Sequence, residues 1–341
     1  MNKVKIGIFG GTGYTGWELV KILLVHPYAE ISVIASKSMA GKTLRHAYPT
    51  APDLPLIDGD NVNFETLDCV FLCLPHTQSA SIAEKAHAAG AKVIDLSADL
   101  RLNTPQDFQT WYKVPHPAPD LLPVIYGLPE FYRDEIAKQS IIANPGCYAT
   151  SMLLGLLPLA EVGLIKSDMP IIVDAKSGTS GAGRTPKQNI LFSEVHGNFS
   201  PYSIGRSHRH IGEVEQQLAL SGLKNQQMIF TPHLLPVDRG ILSSIYVQVQ
   251  NIDQAIQTIQ DKYSNEPLVT VLPDGELATL AHIVRTPNAV ISLTPSIQNT
   301  LIIMVAIDNL LKGAASQAVQ NFNLMFGFSE TCSLLANREK C

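Results

Sequence analysis

The sequence is short of several things, and each shortage narrows what it can be. Its 341 residues include 5 cysteines and 2 tryptophans, with aromatic residues at 7% and charged residues at 16%. The cysteines (Cys69, Cys73, Cys147, Cys332 and Cys341) form an odd set with neither zinc-site spacing nor a disulfide framework. Reduced thiols are therefore expected, and no metal. No apolar run approaches the roughly 18–20 residues that a membrane span requires. Basic residues number 25 against 30 acidic ones, and the formal net charge of −5 is spread without basic blocks. Nucleic acid and membranes are not expected as partners. The opening "MNKVKIGIFGGTGYTG" runs straight into strand and turn without a signal-peptide h-region, which predicts a cytoplasmic protein.

What is present is a well-buried chain, 45% hydrophobic and long enough for two domains. Apolar runs at 4–10, 31–36, 69–75, 92–97 and 140–145 read as strands, with helical stretches at 14–27 and 79–91. That alternation predicts βαβ units and a parallel sheet. The proline- and aromatic-rich stretch 103–135 reads as loops and short turns. From 170 onward, strand-like segments with partial alternation, such as "SSIYVQVQ", predict a mixed sheet with one covered face. The expected fold class is α/β: a Rossmann-type nucleotide domain (1–146), then an α+β domain with a mixed sheet (147–312). A last segment (313–341) is expected to pack its helix back on the first domain.

"GIFGGTGYTG" places Gly10, Gly13 and Gly16 directly after a strand and at the opening of a helix. Such glycines let the backbone turn sharply and approach a pyrophosphate at a helix N-terminus, so Gly10, Thr12, Gly13, Tyr14, Thr15 and Gly16 are candidate cofactor residues. Twenty residues beyond Gly16 stand Ser36, Lys37 and Ser38, where an NAD site would carry an acid. Hydroxyls and an ammonium suit a 2′-phosphate and predict NADP, unless Glu30 of the preceding strand is the sugar-facing residue. In "ANPGCYAT", Cys147 follows a Pro-Gly turn and opens a long apolar run. Two readings stay open on that stretch: a nucleophile beside unpaired helix N–H groups, or a buried core thiol. "SHRH" puts His208 and His210 before a helical run, as a general base with its neighbour or as two surface histidines; a metal site would need further ligands nearby. "DAKSGTSGAGRTP", with Arg184, reads as an anion-wrapping loop or a plain surface loop.

Taken in order, "GGTGYTG", "LCLPH", "DLSADLRL", "YGLPE", "NPGCYAT", "DAKSGTSGAGR", "HRH", "TPHLLPVDRGIL" and "KGAASQAVQNFNLM" resemble the N-acetyl-γ-glutamyl-phosphate reductases of arginine biosynthesis over essentially the whole chain. Those are relatives of the aspartate-semialdehyde dehydrogenases, which supply the alternative reading. The resemblance implies NADPH-dependent reduction of an acyl phosphate to a semialdehyde with release of phosphate. It makes Cys147 the nucleophile that forms a thioester, His210 the acid–base group and Glu213 the residue that orients it. It further implies cofactor NADP(H), with Leu74, Pro75, Ser177, Gly178 and Asn309 joining the glycine loop and Ser36–Ser38. Asn144, Arg184, His208 and Arg101 are then the substrate-binding candidates; a homodimer or homotetramer is expected, with dinucleotide binding in domain 1–146 and catalysis and dimerisation in domain 147–312. Two positions depart from the family's pattern: Ala149 stands where proline is usual and Ser316 where glycine is usual. Neither touches a reacting group, so only local packing is expected to change.

Overall fold

Val4–Phe9 forms a strand (β1) because it is an almost unbroken apolar run, and Ile6, Ile8 and Phe9 are buried as a two-sided parallel strand requires. In the computed structural model, which describes residues 2–224 and 226–335, the chain forms two compact units. The first takes residues up to Pro145 together with those from Ala314 onward; the second is Gly146–Gly313.

In the first unit β1 pairs in parallel with β2 (Ala29–Ala35) on one side and β3 (Cys69–Leu72) on the other. Helix α1 (Tyr14–Leu24) links β1 to β2, and α2 (Ala80–Ala88) links β3 to β4 (Lys92–Asp95). With β5 (Ile125–Tyr126) and β6 (Ile141–Ala143) the sheet is parallel throughout, in the order β2-β1-β3-β4-β6-β5. The chain leaves β1 in one direction and returns on its other side at β3. The carboxyl ends of β1 and β3 therefore frame the topological switch point, the place where open α/β sheets bind ligands.

The stretch 103–135 is more ordered than its composition suggests, and the expectation of loops there is corrected. It holds α3 (Pro105–Tyr112), α4 (Pro129–Ile136) and β5. Its prolines, read as loop signals, include Pro105 and Pro129 in the first turns of those helices, where the missing N–H costs nothing. Thr104 caps α3 by accepting the Asp107 N–H. Near the C-terminus a π-helical turn (Leu311–Ala315) leads into the helix Ser316–Met325. Ala315, Ala318, Val319 and Phe322 share one core with Ile6, Leu19, Phe71 and Ile142.

The second unit opens with α5 (Cys147–Glu161) and continues through β7 (Ile171–Gly178), the short α6 (Phe192–Val195) and β8 (Ser200–Pro201), α7 (His210–Leu220), β9 (Met228–Leu235), β10 (Ile241–Gln248), α8 (Ile252–Tyr263), β11 (Val269–Val271), β12 (Ala289–Pro295) and β13 (Thr300–Ile307). Its seven-stranded sheet has the order β11-β12-β13-β10-β7-β9-β8 and mixes parallel with antiparallel pairs. One face is covered by α5, which is buried from Tyr148 to Ala160. Gly155 permits that approach, since a Cβ there would stand 2.9 Å from Ile245 Cδ1. On the opposite face Ile172, Ile229 and Tyr246 remain exposed.

Cys69, Cys73 and Cys147 are not disulfide-bonded, as expected, whereas Cys332 is. The expectation of reduced thiols is corrected for Cys332, because an odd count without framework spacing carries no signal for a single pair. Cys341 lies outside the described residues.

Candidate active site

Cys147 is the first residue of α5, and Gly146 is its N-cap in extended conformation. The thiol side chain thus starts where helix N–H groups lack intrahelical partners and the macrodipole is positive. The Gly146 N–H donates to Glu213 Oε2 at 3.1 Å. Glu213 is fully buried, and its other oxygen, Oε1, lies 3.7 Å from His210 Nε2. His210 opens α7 and Glu213 follows three residues later, a spacing that puts both side chains on one helical face. One carboxylate therefore touches both the turn that displays Cys147 and the ring of His210. On another side, a Cβ on Gly313 would stand 2.8 Å from Cys147 Cβ, so only glycine lets that backbone pass so close.

His208 sits among rings: Phe230 at 5.1 Å, Tyr148 at 5.5 Å, Tyr202 at 6.0 Å and His210 at 4.7 Å between centroids. Burial, and then the neighbouring His210, push its pKa down from 6.5 to about 3, so the ring is neutral at physiological pH. Its Nδ1 accepts the His210 N–H at 3.2 Å, which leaves the proton of the neutral ring on Nε2. The Tyr202 hydroxyl donates to that of Tyr148 at 3.0 Å, and both interact with Ser177. Burial raises the pKa of both tyrosines, so they are un-ionised hydroxyls. Sequence reasoning missed Tyr148 and Tyr202; 54 residues separate them and no pattern links them.

The loop after β7 is pinned by Asn309. Its Nδ2 donates to Ser180 Oγ at 3.0 Å and its Oδ1 accepts the Gly240 N–H at 2.8 Å. Gly178 lies against backbone, for a Cβ there would stand 2.5 Å from the Arg239 nitrogen. Ser177, Gly178 and Asn309 are thus brought together. Arg184 follows on the exposed part of the same loop.

In the first unit Arg101 and Asn144 form one hydrogen-bonded group. Arg101 Nε donates to the Asn144 carbonyl at 2.9 Å and Nη2 to the Leu96 carbonyl at 2.8 Å. The Asn144 side chain accepts from Asn321 Nδ2 at 3.0 Å and donates to the Ala314 carbonyl at 3.3 Å. Asp95 is fully buried beside this group, and burial followed by Asp99 raises its pKa to about 6. At the switch point the glycine loop is packed as tightly as backbone allows. A Cβ on Gly10 would stand 2.4 Å from the Cys73 carbonyl oxygen, and one on Gly16 2.4 Å from that of Gly10. Leu74 borders the same glycine, and Thr12 Oγ1 meets Ser36 Oγ at 3.0 Å. Ser36 is buried, while Lys37 and Ser38 are exposed beyond it. Among the described residues no cluster of metal-ligating side chains is found.

Two family descriptions match the chain: "Semialdehyde dehydrogenase, NAD binding domain" over residues 5–139 and "Semialdehyde dehydrogenase, dimerisation domain" over residues 147–309. The N-acetyl-γ-glutamyl-phosphate reductase of Desulfotalea psychrophila is 44% identical over 338 residues, covering 96% of each chain. That of Campylobacter jejuni (serotype O:6) is 43% identical over 334 residues, covering 96% of this chain and 97% of its own. The chain belongs to the N-acetyl-γ-glutamyl-phosphate reductase family. Among solved structures, aspartate semialdehyde dehydrogenase II of Vibrio cholerae superposes with a TM-score of 0.73 at 18% identity, covering 96% of this chain and 99% of its own. The Candida albicans enzyme with NADP gives 0.68 at 16%, covering 95% and 100%. At those identities the likeness is one of fold, shared by the semialdehyde dehydrogenases and this reductase family.

The family's cofactor domain can be tested on the residues present. A dinucleotide pyrophosphate needs a turn whose backbone it can approach and a helix start behind it. Gly10 and Gly16 have no room for a Cβ, Gly13 caps α1, and no acidic residue opens that helix. The loop fits the group. The dimerisation domain begins at Cys147 itself, so the thiol, both histidines, Glu213 and Asn309 all fall within it.

Proposed function

We propose that the chain reduces N-acetyl-γ-glutamyl phosphate to N-acetylglutamate 5-semialdehyde with NADPH, releasing phosphate, in arginine biosynthesis. One observation carries this reading. In a chain related along its whole length to reductases of that name, the turn displaying Cys147 and the ring of His210 meet on one buried carboxylate. The Cys147 thiolate attacks the γ-carbonyl; the S–C bond forms, the C–O bond to phosphate breaks, and phosphate leaves to give a thioester. NADPH, when bound, supplies the hydride that takes the thioester carbon to the aldehyde level. Protonated His210 donates to the developing oxyanion and recovers the proton as thiolate departs. N–H groups at the start of α5 share that negative charge. Glu213 holds His210 by the contact of its Oε1 with Nε2. His208 offers its Nε2–H to a substrate oxygen, and Arg184, Arg101 and Asn144 complete the candidate substrate set.

On the cofactor side, Gly10, Thr12, Gly13, Tyr14, Thr15 and Gly16 cradle the pyrophosphate. Ser36, Lys37 and Ser38 take the 2′-phosphate, and Leu74, Pro75, Ser177, Gly178 and Asn309 the nicotinamide half. A homodimer or homotetramer is the working form, with the exposed apolar face of the second unit's sheet as the surface a partner copy covers. The cytoplasm is its place of action. Incubating the pure protein with NADP, phosphate and each semialdehyde tests the reading. NADPH should form with N-acetylglutamate 5-semialdehyde, and preferential turnover of aspartate semialdehyde would overturn it.

A further inference from the structure

The excursion after β2 runs from Ser36 to Ile57 and is held at both ends by backbone bonds. Ser36 N–H donates to the Ile57 carbonyl and Ile57 N–H to that of Ile34, each at 3.0 Å. Leu44, Ala51 and Leu56 anchor its middle in the core of the first unit. The excursion meets the glycine loop twice. One meeting is the Ser36–Thr12 hydroxyl pair already described. The other is Tyr48, whose hydroxyl donates toward the carbonyls of Thr12 at 3.2 Å and Gly13 at 3.1 Å. Its ring stacks on Trp17 of α1 with centroids 4.9 Å apart and planes 16° apart.

A trans peptide points its C=O and the following N–H in opposite directions. Fixing the Thr12 and Gly13 carbonyls toward Tyr48 therefore turns the Gly13 and Tyr14 N–H groups away from it. The Gly13 N–H closes the loop on the Gly10 carbonyl at 3.0 Å. The Tyr14 N–H is the first of α1 and has no intrahelical acceptor, the kind of donor a pyrophosphate takes. We infer that Tyr48 is a positioning residue for the dinucleotide: its hydroxyl latches the glycine loop from behind and presets the amides that face the pyrophosphate. The inference rests on the reading of this loop as the cofactor cradle. A tyrosine that only filled space would act through its ring alone.

Tyr48→Phe separates the two, because it keeps the stack on Trp17 and deletes only the hydroxyl. Kd values for NADPH and NADH are measured by calorimetry on wild type, Tyr48→Phe and Lys37→Glu, with Tm and amide exchange of residues 12–16 in the free protein. Loss of one neutral hydrogen bond should raise Kd roughly three- to tenfold. The factor should be the same for both nucleotides, since the latch acts at the pyrophosphate and not at the 2′-phosphate. Exchange in residues 12–16 should quicken, Tm should hold, and kcat at saturating cofactor should be retained. Lys37→Glu, by contrast, should change the NADPH-to-NADH ratio. Wild-type Kd values and exchange in Tyr48→Phe would overturn the latch, as would a loss confined to NADPH. If the wild type itself bound neither nucleotide, the cofactor reading of the loop would fall, and the latch with it.

Discussion

Replacing Glu213 by glutamine tests the joint on which the proposed chemistry turns. The substitution keeps the shape, and an amide oxygen can still accept the Gly146 N–H, so α5 should start where it does now. What changes is the side facing His210. A carboxylate oxygen 3.7 Å from Nε2 favours the imidazolium; an amide N–H in its place can donate only to the unprotonated ring. Two unit charges at that separation attract by ~4.5 kcal/mol at an effective dielectric of about 20. The His210 side chain is 18% exposed, so solvent takes a share of this. The working figure is ~1.5–3 kcal/mol, the range for hydrogen bonds to charged groups. That corresponds to a roughly 10- to 150-fold loss in rate. The kcat for NADPH formation from the semialdehyde, phosphate and NADP should fall by that factor, with KM for cofactor unchanged. His210→Asn sets the floor, since general acid–base help is typically worth about 10²–10⁴. A Glu213→Gln enzyme with the wild-type kcat would refute the coupling. A slower enzyme whose KM for cofactor rises and whose Tm falls would reduce Glu213 to a structural brace.

Further outcomes are expected of three variants. Cys147→Ser should retain the fold and cofactor binding and lose nearly all turnover, and alkylation should strike Cys147 before Cys69 or Cys73. Burial pushes both of those thiols' pKa values up, so modification of either in step with lost activity would sink the assignment. His208→Asn should raise KM for substrate about three- to tenfold, one hydrogen bond's worth, and leave kcat within a small factor; an abolished kcat would exchange its role with that of His210. The same variant has a stability signature. The His208 pKa is lowered on folding, so its neutral ring contributes stability that is present above pH 6.5 and lost as pH falls toward 3. Chemical denaturation at pH 7.5 and 5 should show a smaller acid loss in the variant, and equal losses would contradict the burial. Ser316→Ala should stabilise by about 1 kcal/mol, because the buried Ser316 hydroxyl has no hydrogen-bond partner among the described residues; a drop in the denaturation midpoint would show the hydroxyl is satisfied.

What could be read in advance was whatever is local in the chain. The glycine loop announces itself because strand, turn and helix start fall within thirteen residues, Val4–Gly16, and its steric demands are met inside that span. The mixed sheet was legible from alternation, since the period of two survives wherever one face stays open, as at Ile172 and Tyr246. Prolines misled between 103 and 135, because composition alone does not distinguish a proline in a loop from one in the first turn of a helix. Thr104 before Pro105 was the missed cue, a capping residue directly ahead of a residue preset for the first helical turn.

The candidate site divides along the same line. The His210–Glu213 pairing follows from a spacing of three on a helix and needs no tertiary knowledge. The bond from Gly146 to Glu213 spans 67 residues and exists only because α5 and α7 start side by side. Arg101, a candidate for an anionic substrate, also donates from its guanidinium to two backbone carbonyls, one of them that of Asn144. That arrangement fixes the chain just after β6, three residues before the nucleophile. A residue type therefore indicated the chemistry available at each position, while the partner each group met decided whether it faces a ligand or holds the backbone that does. Glu213 does both at once: one oxygen secures the turn that displays the thiol and the other faces the ring that would move its proton. This is why a single isosteric change there is expected to report on the whole site.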